Sequence, residues 1–579
     1  MSRFRVTLHR LGLGWRAALL GLLLTGSAAA VQTPERVPAA VSHRLQEPGQ
    51  GAIASANFLA TNAGLEMLDR GGNAFDAAVA VASTLSVVEP ESSGIGGGFM
   101  AVLRRASDGR EVFIDARETA PASVNSKDYL KPDGTPNRDT ALNGPLAAGI
   151  PGEPAGLVWL AERYGKLPLR QSLAPAIRIA RDGFAPDSRL RGSIAERADQ
   201  LRRWPASAAK YLASGQPPAE GARWRDPDQA RTLELLAAHG HDGFYRGVTA
   251  QRLVAAVNAA GGRWTAADLH GYTVKERTPI AVNYRGYRIV TAPPPSSGGV
   301  AIAEILNILS GFDLARMDRA QRVHVIVEAM RRAFRDHNDY LGDPDFVKMP
   351  LDMLLSPFYA DGLRQGILPD RATPSSMLPS GTMAEPGMHT THFSIVDRDG
   401  NMIALTATVN TTLGSTFVAA GTGVLLNNEM DDFALVPGKP NAYGLLGSTA
   451  NAPKPGKRML SSMSPSLVIG ADRAAVIGSP GGSTIITQVL EGILAFIDGK
   501  SATQITAQKR FHHQFMPDRV DMEQDAFDPA TAEALKRMGH TLHPRAPWGF
   551  MNVVTWDFRT RTLDAASDPR RPSGLGKVQ

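Results

Sequence analysis

The chain of 579 residues is long enough to bury a large core, as two domains or one large layered domain, and its 43% hydrophobic and 20% charged residues are in globular balance. Four of the six units of formal net charge come from Arg3, Arg5, Arg10 and Arg16 in the acid-free first thirty residues, and the remaining +2 gives no reason to expect a nucleic-acid partner. The absence of cysteine excludes disulfides, thiolate metal sites, iron–sulfur clusters and cysteine nucleophiles.

Those first thirty residues read as a secretory signal peptide: a basic start, the apolar run Ala17–Leu24, then the A-x-A pattern of Ser27-Ala28-Ala29-Ala30. The uncharged run is shorter than the roughly 20 residues of a bilayer-spanning helix, so cleavage is expected rather than anchoring. The mature chain would begin near Val31 or Gln32, be periplasmic or secreted, and keep no stable membrane anchor.

Ala60–Leu68 and Ala74–Leu85 read as apolar helices, the second after the turn Gly71-Gly72-Asn73. Gly94-Ile95-Gly96-Gly97-Gly98-Phe99 invites a dinucleotide-binding reading, but Phe99 takes the final glycine position and no helix start follows, so a tight, close-packed turn is expected. Val112–Asp115 is a short strand ending at Arg117-Glu118. Helices dominate residues 150–340, interrupted by the strand Tyr287–Thr291. That strand meets Pro293-Pro294-Pro295-Ser296-Ser297-Gly298-Gly299, a rigid loop that launches a helix near Ala301–Leu309. Pro369–Gly387 is loop-rich and is the best candidate for a linker or processing segment. Strands then take over. Residues 390–397 and 401–409 flank the hairpin signal Arg398-Asp399-Gly400, with further strands at Ser466–Ile469, Ala474–Ile477 and Met551–Trp556 and a helix at Ile485–Ile497. Strands packed face to face under helices suggest an α/β layered sandwich.

The hairpin carries the first chemical signal. A three-residue turn with Gly400 left-handed sets Thr390 opposite Thr408, with Asn410 two residues on and on the same face. A two-residue Asp399-Gly400 turn would put Thr390 on the other face; the first register is preferred because it gathers the hydroxyls. A threonine hydroxyl needs a base, and its own α-amine can serve only when the residue begins a chain. Thr390 is internal, so a peptide bond would first have to break. Since β-branched residues favour strands for packing alone, the hairpin by itself leaves both readings open.

TTHFSIVDRDGNMIALTATVNTTLG, followed by GVLLNNEMDDF, KRMLSSMSPS and GSPGGSTIITQVL, resembles the small subunit of the gamma-glutamyltranspeptidase family. FIDARETAP, RDGF, PPPSSGG and YLGDPDFVK agree upstream, so the resemblance covers nearly the whole mature chain. It implies an N-terminal nucleophile hydrolase with a four-layer αββα core formed jointly by two autoprocessed subunits. The signal peptide would be residues 1–30, the large subunit 31–389 and the small subunit 390–579, cut between His389 and Thr390. The implied activity is that of an autoprocessing γ-glutamyltransferase and glutathione hydrolase. It would move the γ-glutamyl group of glutathione or related donors, through a threonine acyl-enzyme, to amino acids, peptides or water.

The same resemblance assigns roles. Thr390 would be the nucleophile and Thr408 its hydrogen-bonding neighbour. Asn410, Glu429 and Asp432 would hold the donor's α-ammonium, and Arg117 with Ser461 and Ser462 its α-carboxylate, where a planar guanidinium and hydroxyl donors suit the anion. Gly481 and Gly482 would offer backbone N–H groups to the oxyanion, and Tyr443 would lie on a loop covering the pocket. No metal or organic cofactor is implied, and His512-His513, pointing to opposite faces of a strand, read as structural. The sequence departs from the family at His389, where glutamine or asparagine is common, at Met459 for proline and at Thr119 for methionine. Two rivals share the scaffold: a cephalosporin or glutaryl acylase, and a catalytically inert exported binding protein. Arg117, Asp432 and Ser461-Ser462 favour an α-amino-acid head group over a plain dicarboxylate, and intact Thr390, Thr408, Gly481 and Gly482 argue against inertness.

Overall fold

The computed structural model describes residue 45 and residues 47–212, 214–378, 390–445 and 447–579. The signal-peptide stretch and His389 lie outside the described residues, as does the end of the loop-rich segment from residue 379.

The strands in chain order are β1 (Ala52–Ser55), β2 (Gly98–Arg104), β3 (Glu111–Ala116), β4 (Lys275–Arg277), β5 (Ile280–Tyr284), β6 (Tyr287–Thr291), β7 (Thr391–Val396) and β8 (Met402–Thr408). They continue with β9 (Ser466–Ile469), β10 (Arg473–Gly478), β11 (Phe511–His512), β12 (Val520–Glu523), β13 (Leu542–Arg545), β14 (Asn552–Asp557), β15 (Thr562–Ser567) and β16 (Leu575–Val578). Two antiparallel sheets dominate, a seven-stranded one in the order β16-β1-β7-β8-β2-β3-β4 and a six-stranded one in the order β15-β14-β10-β9-β6-β5. A small sheet, β11-β12-β13, lies apart.

Side-chain alternation assigns the layers. From β8, Ile403, Leu405 and Ala407 enter a core shared with the helices Phe58–Asp69, Ala74–Val88, Glu153–Tyr164 and Leu169–Asp182. Met402 and Ala404 point the other way, into a second core with Leu467, Val476 and Val553 of the facing sheet. The helices Gly298–Leu309, Arg319–Tyr340 and Thr484–Ile497 supply Ile302, Met330 and Ile486 to that second core and close the outer side. The result is helix, sheet, sheet, helix. The helix Thr484–Ile497 is apolar nearly all round and buried from Thr484 to Phe496, as expected of a helix enclosed on every side.

The hairpin adopts the three-residue register. Thr391 pairs with Ala407 and Phe393 with Leu405, and Gly400 has a φ of 85°. Thr390 and Thr408 therefore share the face between the two sheets. The glycine run before β2 is a close-packed turn: a Cβ on Gly97 would sit 2.0 Å from the carbonyl oxygen of Thr408.

Several strands go beyond the sequence reading. β4 and β5 lie within the region read as helical, and β1, β15 and β16 carry no signal that the reading assigns. β4 is Lys-Glu-Arg, an edge strand with no apolar face to give a period. β1 is four small or buried residues between two neighbours, and pairing rather than pattern defines it.

Candidate active site

Thr390 heads β7 at the inter-sheet face, 4% exposed, and its hydroxyl donates toward Thr408 Oγ1 at 3.4 Å, the long end for a hydroxyl hydrogen bond. Thr408 Oγ1 also accepts the Asn410 N–H at 2.8 Å. That contact holds Asn410 in a left-handed conformation, φ 75°, which asparagine tolerates better than most residues. Asn410 Nδ2 donates to Asn428 O at 2.9 Å, tying the end of β8 to the loop that carries the acids. Thr391 faces the opposite core and donates to Glu89 Oε2 at 2.7 Å.

Arg117, 1% exposed, is the electrostatic centre of the pocket. Its Nη1 lies 2.7 Å from Glu429 Oε2 and 3.4 Å from Glu118 Oε2, and its Nη2 donates to Asp432 Oδ2 at 2.6 Å and Leu460 O at 3.2 Å. The arginine and the acids expected to hold opposite ends of one ligand are thus joined to each other. Three carboxyl groups face one guanidinium and offer their oxygens to a further donor. Burial pushes Glu429 up to about 8 and Glu118 to about 7 against the opposing pull of Arg117, and burial followed by the neighbouring Glu429 raises Asp432 well above the carboxylate range. Asp431 fastens the loop above instead, accepting from Arg138 Nη1 at 2.8 Å and from the Ala442 N–H at 2.7 Å.

These shifts predict a pH dependence of stability. Glu91, Glu118, Glu153 and Glu429 are raised to about 7, 7, 8 and 8, mainly by burial, so the folded chain holds protons that the unfolded chain releases. That stabilisation is present at acid pH and lost as pH rises through 7 to 8. Burial depresses His337, His512 and His513 to about 4, and His392 and His540 to about 3, so their contribution is present above the ordinary histidine range and lost as pH falls toward 4. Thermal midpoints should decline from pH 6.5 to 8.5 and again below pH 4.5; a midpoint rising steadily toward alkaline pH would contradict the assignment of buried, protonated glutamates.

The serine loop is positioned by the Pro293–Gly299 segment. Ser297 N–H donates to Ser461 O at 2.7 Å, Ser461 N–H to Pro295 O at 2.8 Å, and Ser296 Oγ to Met463 O at 2.6 Å. Gly481 and Gly482 lie between β10 and the helix Thr484–Ile497 with φ of 137° and 59°. A Cβ on Gly481 would meet Gln488 Nε2 and Thr484 Oγ1, each at 2.6 Å. The N–H groups of both glycines have no acceptor among the described residues, so two donors stand at a helix N-terminus beside the pocket that Thr390 lines. Tyr443 closes the far side, its hydroxyl donating to Asn410 O at 2.5 Å.

One pocket is lined by Arg117, Thr390, Thr408, Asn410, Glu429, Asp432, Tyr443, Ser461, Ser462 and Gly482. Gly481 is the candidate not in the lining. Sequence reasoning missed Glu118, adjacent to Arg117 in the chain, together with His337, Lys439 and Asn441, which line the same pocket. His512 and His513 pack as structural residues, bonded to Thr487 and Asp518. His324, Glu328 and His540 converge on one point elsewhere, but Glu328 already takes Arg331, Arg332 and the Thr373 N–H.

A four-layer αββα core with a threonine hydroxyl at the head of an inner strand defines an N-terminal nucleophile hydrolase. The gamma-glutamyltranspeptidase family matches residues 60–578, and the chain belongs to that family. It is 41% identical over 547 residues to a glutathione hydrolase proenzyme of Pseudomonas sp. strain A14, covering 91% of this chain and 93% of the relative. It is 39% identical over 574 residues to the glutathione hydrolase proenzyme of Escherichia coli strain K12, covering 97% and 98%. Among solved structures it is similar to the cephalosporin acylase of Bacillus halodurans, with a TM-score of 0.79 and 28% identity over 94% of this chain and 99% of that one. Among the described residues no helix is long and apolar enough to cross a membrane.

Proposed function

We propose that the protein is an exported γ-glutamyltransferase and glutathione hydrolase that activates itself by cutting between His389 and Thr390, leaving a large subunit of residues 31–389 and a small subunit of residues 390–579. The observation that carries this reading is the meeting, in one pocket, of the Thr390 hydroxyl with Arg117, Glu429 and Asp432. Full-length similarity to glutathione hydrolase proenzymes supports it.

In the cut, Thr390 Oγ1 attacks the His389 carbonyl carbon, the hydroxyl proton passes to the peptide nitrogen as the C–N bond breaks, that nitrogen becomes the free α-amine of Thr390, and water hydrolyses the ester. In turnover that amine takes the hydroxyl proton as Oγ1 attacks the γ-carbonyl of the donor. The Gly481 and Gly482 N–H groups receive the oxyanion. As the donor C–N bond breaks, the proton passes to the leaving amine, and a γ-glutamyl ester on Thr390 remains for an amino acid, a peptide or water to accept. Thr408 Oγ1 holds the nucleophile, Arg117 with Ser461 and Ser462 takes the α-carboxylate, and Glu429, Asp432 and Asn410 take the α-ammonium. Tyr443 limits access to the ester.

A cephalosporin or glutaryl acylase on this scaffold is the second reading, favoured by the structural likeness to the Bacillus halodurans enzyme. The two separate on the α-amino group. A γ-glutamyl anilide should be cleaved at least about 100-fold more efficiently than the glutaryl anilide that lacks only that group, because the buried acids would be left without their cation. Equal efficiencies would favour the acylase.

A further inference from the structure

We propose that Lys439 is a specificity-determining residue, binding the carboxylate at the far end of the leaving peptide and, in transfer, the carboxylate of the amino-acid or peptide acceptor. The proposal rests on the γ-glutamyl-transfer reading and names the part of the substrate that reading leaves unassigned.

Three basic side chains line the pocket: Arg117, His337 and Lys439. Arg117 is committed to Glu429, Asp432 and Glu118. His337 is buried, which depresses it to about 4, so it carries no charge at neutral pH. Lys439 alone is exposed, and among the described residues its ammonium has neither a carboxylate nor a hydrogen-bond partner. The pocket therefore has one solvent-exposed cation that internal acids do not neutralise.

Its backbone is fixed. Val436-Pro437-Gly438-Lys439 has the Pro-Gly pair of a type II turn, with Gly438 at φ 76° and the Lys439 N–H donating to Val436 O at 3.0 Å. The Gly438 N–H donates to Gly447 O at 3.0 Å, closing the base of the loop, and Pro440 stiffens the following residue. Beyond it, Asn441 Oδ1 accepts the N–H groups of Tyr443 at 2.9 Å and Leu445 at 3.1 Å, while its Nδ2 donates to Asp432 Oδ1 at 3.3 Å. The lysine stem thus springs from a braced turn joined to the donor-binding acids.

Chemistry selects the ligand. With the glutamyl head group at Arg117 and its γ-carbonyl at Thr390, the leaving portion must extend toward the mouth. A peptide leaving group ends there in a carboxylate. An acceptor amine attacks the ester along the path by which the leaving amine departed, so its carboxylate falls in the same place. A single exposed ammonium can serve both, and as a screened surface pair it should weaken with salt.

The test compares wild type, Lys439→Ala and Lys439→Arg on glutathione and on a γ-glutamyl anilide, whose leaving group has no carboxylate. The ratio of kcat/KM for glutathione to that for the anilide should fall about fivefold in K439A, the scale of one exposed ion pair, and recover in K439R. The ratio should also fall with added salt in wild type and not in K439A. An unchanged ratio in K439A would overturn the proposal and leave the family activity standing. A wild type inactive on both donors would overturn the γ-glutamyl-transfer reading and this proposal with it.

Discussion

Thr390→Ala should leave the precursor as one uncut chain and lower turnover of a γ-glutamyl anilide by about 10⁴-fold or more, the scale on which loss of a nucleophile leaves only binding and oxyanion contributions. The fold should survive. Thr390 is at the head of β7, outside the paired register that begins at Thr391, and alanine removes one hydroxyl whose described bond to Thr408 is 3.4 Å long. Thermal unfolding within a few degrees of wild type, with no cleavage and no turnover, is the expected combination. A variant that still divides into the same two fragments would place the attacking group elsewhere, and Thr391, facing the other core, could not replace it without reversing the strand.

The second large effect is expected at Arg117. Arg117→Leu would leave Glu118, Glu429 and Asp432 buried around an apolar group, and breaking a buried pair in this way destabilises by about 3–5 kcal/mol. Arg117→Lys separates folding from function. An ammonium keeps the charge but cannot span Glu429 and Asp432 with two nitrogens while presenting a flat face to a carboxylate. The lysine variant should fold and cut itself yet lose about 100-fold or more in kcat/KM for γ-glutamyl donors, chiefly through KM. Near-wild-type kinetics in the lysine variant would mean that the guanidinium serves the fold and leaves substrate recognition to other groups.

How far the sequence reveals this arrangement depends on how local each cause is. The turn Arg398-Asp399-Gly400 narrows the hairpin to two registers, and the folded sheet adopts the one that sets Thr390 opposite Thr408. The choice between them rests on the preference for gathering the Thr390 and Thr408 hydroxyls on one face. The Pro293–Gly299 loop is legible as a rigid strand-to-helix turn, whereas its hold on Ser461 through two backbone bonds is not, since the partners are more than 160 residues apart. β4 and β16 have no apolar period and exist as strands because a neighbour offers an edge. The pairing of Arg117 with Glu429 and Asp432 is hidden for a related reason: the motifs name the residues, but only the folded pocket shows that the acids bind the arginine. Lys439 and His337 carry no local signal at all. One is an ordinary lysine in a Pro-Gly turn and the other a histidine in an amphipathic helix, and their relevance comes from the pocket they enter.

The most direct test of the central claim is the intact mass of the purified, denatured wild-type protein, with the amino-terminal residue of the smaller fragment identified. Two fragments meeting between His389 and Thr390, the smaller beginning with a free threonine, are the predicted result. A folded wild-type chain that stays whole, or that divides elsewhere and leaves Thr390 internal, would contradict the account, because the hydroxyl at the head of β7 would then have no α-amine to serve as its base.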